Sequence, residues 1–133
     1  MTVKRGTMLT LYGETDGSST TGTFTLNNEW FESGVSYIRV DKNIVAKIWS
    51  IEVSGAAVTV DIEITQDVTV DTPTWTKVKS VHLASEGQIF DEKRKPLIVI
   101  VGRTGKEAFR LTWSQATAGL SKVSLVVEFV EVE

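Results

Sequence analysis

The sequence predicts an all-β fold, an antiparallel, jelly-roll-like β-sandwich of about eight to ten strands in a single domain over residues 1–133. Three observations predict it. Apolar and polar residues alternate with a period of two, as in Val58, Val60, Ile62 and Ile64 against Thr59, Asp61, Glu63 and Thr65, which gives a strand one dry and one wet face. Turn-forming residues interrupt such runs at short intervals: Gly13 to Gly22, Asp41-Lys42-Asn43, Ser54-Gly55, Asp71-Thr72-Pro73, Ser85-Glu86-Gly87, Arg103-Thr104-Gly105 and Ala118-Gly119. No segment of helical length carries the helical period.

Taken in order, the runs between turns place strands at Thr7–Tyr12, Thr23–Asn27 and Ser36–Val40. The next, Ile44–Val53, sets Ile44, Ala46, Ile48 and Ser50 on one face and Val45, Lys47, Trp49 and Ile51 on the other. Val58–Thr65 is the alternating strand quoted above. Trp75–Ala84 breaks its own alternation: Trp75, Val81 and Leu83 share a parity that Val78 does not, so a β-bulge is expected near Val78-Lys79. A short strand fits Gln88–Phe90. In Leu97–Gly102 the run Leu97 to Val101 is apolar on both faces, which suits a central strand covered on both sides. Ala108–Ser114 alternates Phe109, Leu111 and Trp113 with Arg110, Thr112 and Ser114. The last strand, Lys122–Val132, turns Val123, Leu125, Val127 and Phe129 to the core and Val126, Val130 and Val132 the other way. That second row requires cover, from the Gly13 to Gly22 loop or from another subunit.

With 41% apolar residues the chain builds its core without cysteines, of which it has none. Its 14 basic and 17 acidic side chains are mixed along the chain, which argues against a nucleic-acid-binding face. No apolar run approaches the ~20 residues of a membrane helix. After Met1-Thr2-Val3-Lys4-Arg5 the apolar residues alternate with polar ones, so no signal peptide is expected.

The motifs that carry chemistry fail on spacing or context. Gly102-Arg103-Thr104-Gly105-Lys106-Glu107 lacks the spacing and the following Ser or Thr of a phosphate-binding loop, and a strand follows it, so it reads as a hairpin tip. His82 is the only histidine and has neither a marked serine nor a companion ligand. Asp61 and Glu63 share one strand face, as a glycosidase pair would, but a wet face explains them. Asp16, Asp67 and Asp71 supply oxygen donors without the calcium-loop spacing. Asp91-Glu92-Lys93-Arg94-Lys95 mixes both signs, as a solvated loop does. No catalytic, cofactor or metal residues are assigned, and the chain is expected not to be an enzyme.

Four tryptophans remain. Trp113 has core parity and Trp49 lies mid-strand, whereas Trp30-Phe31 and Trp75 sit in connections, where they either tuck over the sandwich end or stand exposed. The stretch from Thr74-Trp75-Thr76-Lys77-Val78 through Pro96-Leu97-Ile98-Val99 to Thr104-Gly105 and Leu111-Thr112-Trp113 resembles the small β-rich structural proteins of tailed viruses, over residues 58–130. That resemblance implies a capsid decoration (cement) or accessory coat protein in the virion, homo-oligomeric with a trimer favoured, held to a major capsid or other virion protein by surface contacts. Val126, Val130 and Val132 are then the expected interface. The rival is a carbohydrate-binding module that stacks sugars on exposed Trp30, Phe31 or Trp75.

Overall fold

The computed structural model describes residues 7–28, 34–83 and 88–132. They form ten strands and no helix: β1 (Thr7–Glu14), β2 (Thr21–Thr23), β3 (Ile38–Arg39), β4 (Ile44–Gly55), β5 (Val58–Thr65), β6 (Thr76–Leu83), β7 (Gln88–Asp91), β8 (Ile98–Val101), β9 (Ala108–Ser114) and β10 (Ser121–Glu131). They make two antiparallel sheets packed as a sandwich. The front sheet has the order β1-β10-β4-β7, with β8 also on β4. The back sheet has the order β2-β9-β5-β6, with β3 also on β9. Each sheet is thus built on a long strand that carries two short ones end to end: β8 along Val45–Ile48 and β7 along Ser50–Val53 of β4, β3 and β2 along β9.

The core lies between the sheets and follows the alternation. Val58, Val60, Ile62, Phe109, Leu111, Trp113, Val123, Leu125, Val127 and Phe129 are all buried there, joined by Leu9, Leu11, Phe24, Leu26 and Ile38. Ile64 is the exception to the predicted set. It packs against the core but is only partly buried, although β5 is paired there on both sides, because it lines surface clefts beside Gln66.

Two bulges tune the strands. Opposite β5 the ladder passes from Lys79 directly to Lys77, so Val78 is the extra residue, where the broken alternation of β6 called for one. A second bulge lies in β4, whose partner register on β10 steps from Ser50 to Ile48 and leaves Trp49 unmatched. That extra residue corrects the predicted faces: Ile44, Ala46 and Ile48 point inward as expected, but Ile51 and Val53 join them and Ser50 turns out.

Three further expectations change. β8 is an edge strand that pairs β4 alone, not a strand covered on both sides; Val99 and Val101 are exposed because nothing described lies over that face. The strand expected at Thr23–Asn27 starts earlier and is cut short, because the chain changes sheets along it. Gly22 lies under the Trp113 ring of the back sheet, where a Cβ would come within 2.3 Å of the indole, while Asn27 exchanges backbone hydrogen bonds with Tyr12 of the front sheet. Ser36–Val40 shrinks likewise to β3, after which Val40 donates its N–H to Glu107.

Candidate assembly surface

The outer faces of the two sheets differ in kind. Across the back sheet the outward rows read Thr21, Ser114, Thr59, His82, then Thr23, Thr112, Asp61, Ser80, then Arg110, Glu63, Lys77. Every member is polar, and the rows are cross-linked. Thr59 Oγ1 meets His82 Nδ1 at 2.9 Å, Lys77 stands 4.0 Å from Asp61, and Arg110 Nε donates to Glu63 at 2.7 Å. This is the wet face that the alternation of β5 and β9 requires.

The front sheet is different. Its rows read Val130, Val45, Val101; then Met8, Glu128, Lys47, Val99; then Thr10, Val126, Ser50, Asp91; then Tyr12, Ser124, Glu52, Ile89; then Glu14, Lys122, Ser54, so the apolar residues gather at the Val130 end. Met8, Tyr12, Ile89, Val99, Val101 and Val132 are between 44% and 64% exposed, and they are six of the nine large apolar side chains exposed among the described residues. Val126 and Val130 are half-buried in the middle of the sheet, and Val132 stands just past the end of β10. The Trp49 ring, turned out by its bulge, lies in the same face and donates its indole N–H to a Glu128 carboxylate oxygen at 3.1 Å. In the two rows at the valine-rich end the charges among the described residues are Lys47 and Glu128, side by side in the register, with the exposed Glu131 just beyond them.

The structure therefore places the interface residues expected on β10 within a wider apolar face. Sequence reasoning missed the contributions of β1, β4 and β8. The double-faced apolar run of β8 was the available signal, but it reads equally as a buried strand. The loop from Thr15 to Thr20 does not supply the cover considered for this face. Its hydrogen bonds run to Gly119, Ser121 and Gln115, at the far end of β10 from Val130.

The other candidates occupy ordinary structural roles. Asp16 accepts the N–H groups of Ser19 and Ser18, which hold its carboxyl at about 2, and this donor ring orients it as a turn acceptor. The Thr69 hydroxyl and N–H lower Asp67 in the same way. Glu92 is lowered by hydrogen bonds from Lys79 and Lys95, each at 3.1 Å; Lys79 ties β6 of the back sheet to the loop beyond β7 of the front one. No three acids or histidines converge among the described residues. Glu107 is buried at the 102–107 loop. Its carboxylate accepts the N–H groups of Arg103 at 3.0 Å, Thr104 at 3.1 Å and Lys106 at 3.2 Å, and the Thr104 hydroxyl at 2.8 Å. Burial works against its charge, but the hydrogen bonds outweigh it and the pKa falls. A ring of donors around an anion does exist in this loop, and the anion is the protein's own.

Trp30 and Phe31 lie outside the described residues. Trp75 is half-buried: the Arg110 guanidinium lies 4.4 Å from its ring centroid and Tyr37 meets it edge-on, with centroids 6.4 Å apart at 83°.

No protein-family model matches the sequence, and no curated protein matches it. Among solved structures the chain is similar to one from a study of Bacillus endospore appendages, described as a novel family of disulfide-linked pili, with a TM-score of 0.48 and 12% identity over 98% of this chain and 92% of that one.

Proposed function

We propose that this chain is a non-enzymatic structural subunit that assembles with copies of itself through the outer face of the front sheet. The observation that carries this reading is the contrast between the two faces: a polar, cross-linked back sheet and a front sheet whose Val130 end is open and apolar, on the same domain. A second copy is the occupant the face suits. The charges within its two valine-rich rows, Lys47 and Glu128, offset one another, so two copies of a chain of net charge −3 meet there with little local repulsion. Covering six half-exposed apolar side chains contributes about 6 kcal/mol at about 1 kcal/mol each. Association costs roughly 4–15 kcal/mol, so a single such contact is weak. Weak contacts become stable when each subunit makes several in a closed ring or lattice.

Capsid decoration in the virion is the finer form of this proposal. It is supported by the resemblance over residues 58–130 and predicts a discrete trimer; an open fibre is the other assembly a repeating face produces. Native mass measurement across a concentration series tests both levels. Concentration-dependent association, lost in a Val126→Thr/Val130→Thr double variant that still unfolds cooperatively, is the expected result. A wild-type monomer at every concentration, or a double variant that keeps its mass and loses only thermal stability, overturns the proposal. Fibres in place of trimers overturn the decoration form alone.

A further inference from the structure

We infer that the cavity beside Trp75 on the back sheet is a binding site for an uncharged saccharide, a site separate from the assembly face. The cavity measures about 410 Å³, within the roughly 300–1,000 Å³ of small-molecule sites. Its chemistry comes from Trp75, Tyr37, Arg110, Asp71, Ser36 and Thr23, brought together from β2, β9 and the connections before β3 and β6.

The walls are aromatic and fixed. Tyr37 and Trp75 meet nearly at right angles, so the cavity has two aromatic surfaces of different orientation, either of which offers an apolar contact for the C–H face of a sugar ring. Arg110 is held by its Nε bond to Glu63 at 2.7 Å and by stacking 4.4 Å from the Trp75 centroid. Its terminal amines make no hydrogen bond among the described residues. Nor do the Tyr37, Ser36 and Thr23 hydroxyls or the Asp71 carboxylate. The rim is anchored by its own backbone: Val68 donates its N–H to Lys106 at 2.8 Å, and Asp67 caps Thr69 at 2.9 Å.

The charges select the ligand class. Arg110 is already matched by Glu63, and Asp71 adds a second acid, which disfavours phosphates and carboxylates. A free cation is disfavoured too, because Arg110 already supplies a positive charge beside the Trp75 ring. What remains is a neutral molecule whose groups both donate and accept hydrogen bonds around an apolar ring face. A neutral sugar has that pattern, accepting from Arg110 and donating to Asp71.

The test is a titration of the intact protein, followed by two-dimensional NMR, with glucose, galactose, mannose, N-acetylglucosamine and their β-linked disaccharides, and with phosphate and acetate as anionic controls. The expected result is a saturable shift of the Trp75 indole and Arg110 Nε signals with at least one neutral sugar. Asp71→Ala, at an exposed position that leaves the fold intact, should weaken it about tenfold, the loss of one hydrogen bond to a charged group. Trp75→Ala should abolish it. No saturable shift with any sugar overturns the inference, as does a stronger response to phosphate or acetate, or binding that Asp71→Ala leaves unchanged. None of these outcomes depends on the protein's mass in solution, so this inference and the assembly proposal fail separately.

Discussion

At the scale of single residues, Glu107 shows how a sequence motif can be rejected for good reasons and still hide a site of consequence. The glycine spacing of residues 102–107 excludes a phosphate loop, yet the backbone N–H groups do converge, on a carboxylate four residues after Arg103. Nothing in the order Gly102 to Glu107 announces that contact, because it depends on a turn whose Gly105 takes a φ of 80°. Glu107→Gln keeps the shape but gives up charge-assisted bonds, and should cost about 2 kcal/mol at neutral pH. The sign of the pH dependence follows from the depressed pKa of the folded state. The stabilisation is fully present above the ordinary glutamate value, about 4.3, and is lost as pH falls through the lower folded value. The gap between the denaturation curves of wild type and variant should therefore be full above about pH 5 and close as the pH falls below the ordinary glutamate value and through the lower folded one. A gap that is constant with pH would assign the loss to packing.

At the scale of elements, legibility tracked the alternation. The β6 bulge was readable because Val78 visibly broke its strand's parity. The β4 bulge was not, because Trp49, Ser50 and Ile51 form an acceptable pattern in either register, and only pairing with β10 and β7 decides it. β8 failed for a related reason: Ile98 to Val101 is apolar whichever way it faces, so composition cannot distinguish a buried strand from an exposed edge. The β4 bulge gives a sharp expectation. Deleting Trp49 removes the unmatched residue and leaves Ile48 and Ile51 inward with Ser50 outward, so the shortened strand should still fold, at a cost of about 1–3 kcal/mol. Deleting Val60 from β5, which has no bulge at that point, throws one half of its strand onto the wrong face and should abolish cooperative unfolding. Near-ultraviolet circular dichroism of the two deletions distinguishes them.

For the whole molecule, the two-sheet sandwich and most of its core were legible, since each of β5, β9 and β10 states its own inner face. Strand order was not. Of all the pairings only β5 with β6 joins strands consecutive in the chain, so local turn chemistry carries little information about neighbours. The candidate face was legible only in its β10 part, because a surface assembled from β1, β4, β8 and β10 exists only once their order is known. Val99→Lys/Val101→Lys tests the surface as a unit. Two cations on an already exposed edge should change thermal stability by under about 1 kcal/mol while abolishing self-association. Retained association would move the contact away from the β8 edge.

The pairing of the first strand with the last determines how this domain responds to mechanical force. Thr7 stands opposite Phe129 and Glu14 opposite Lys122, so residues 7 and 131 lie at the same end of the ladder. Tension between those two points peels β1 from β10 one rung at a time, whereas tension between residues 14 and 131 shears all the rungs together. Single-molecule pulling should find the first geometry much weaker than the second. Domains of this kind linked through residues 7 and 131, at one end of the ladder, would therefore yield under load that the same domains linked through residues 14 and 131, at opposite ends, would hold.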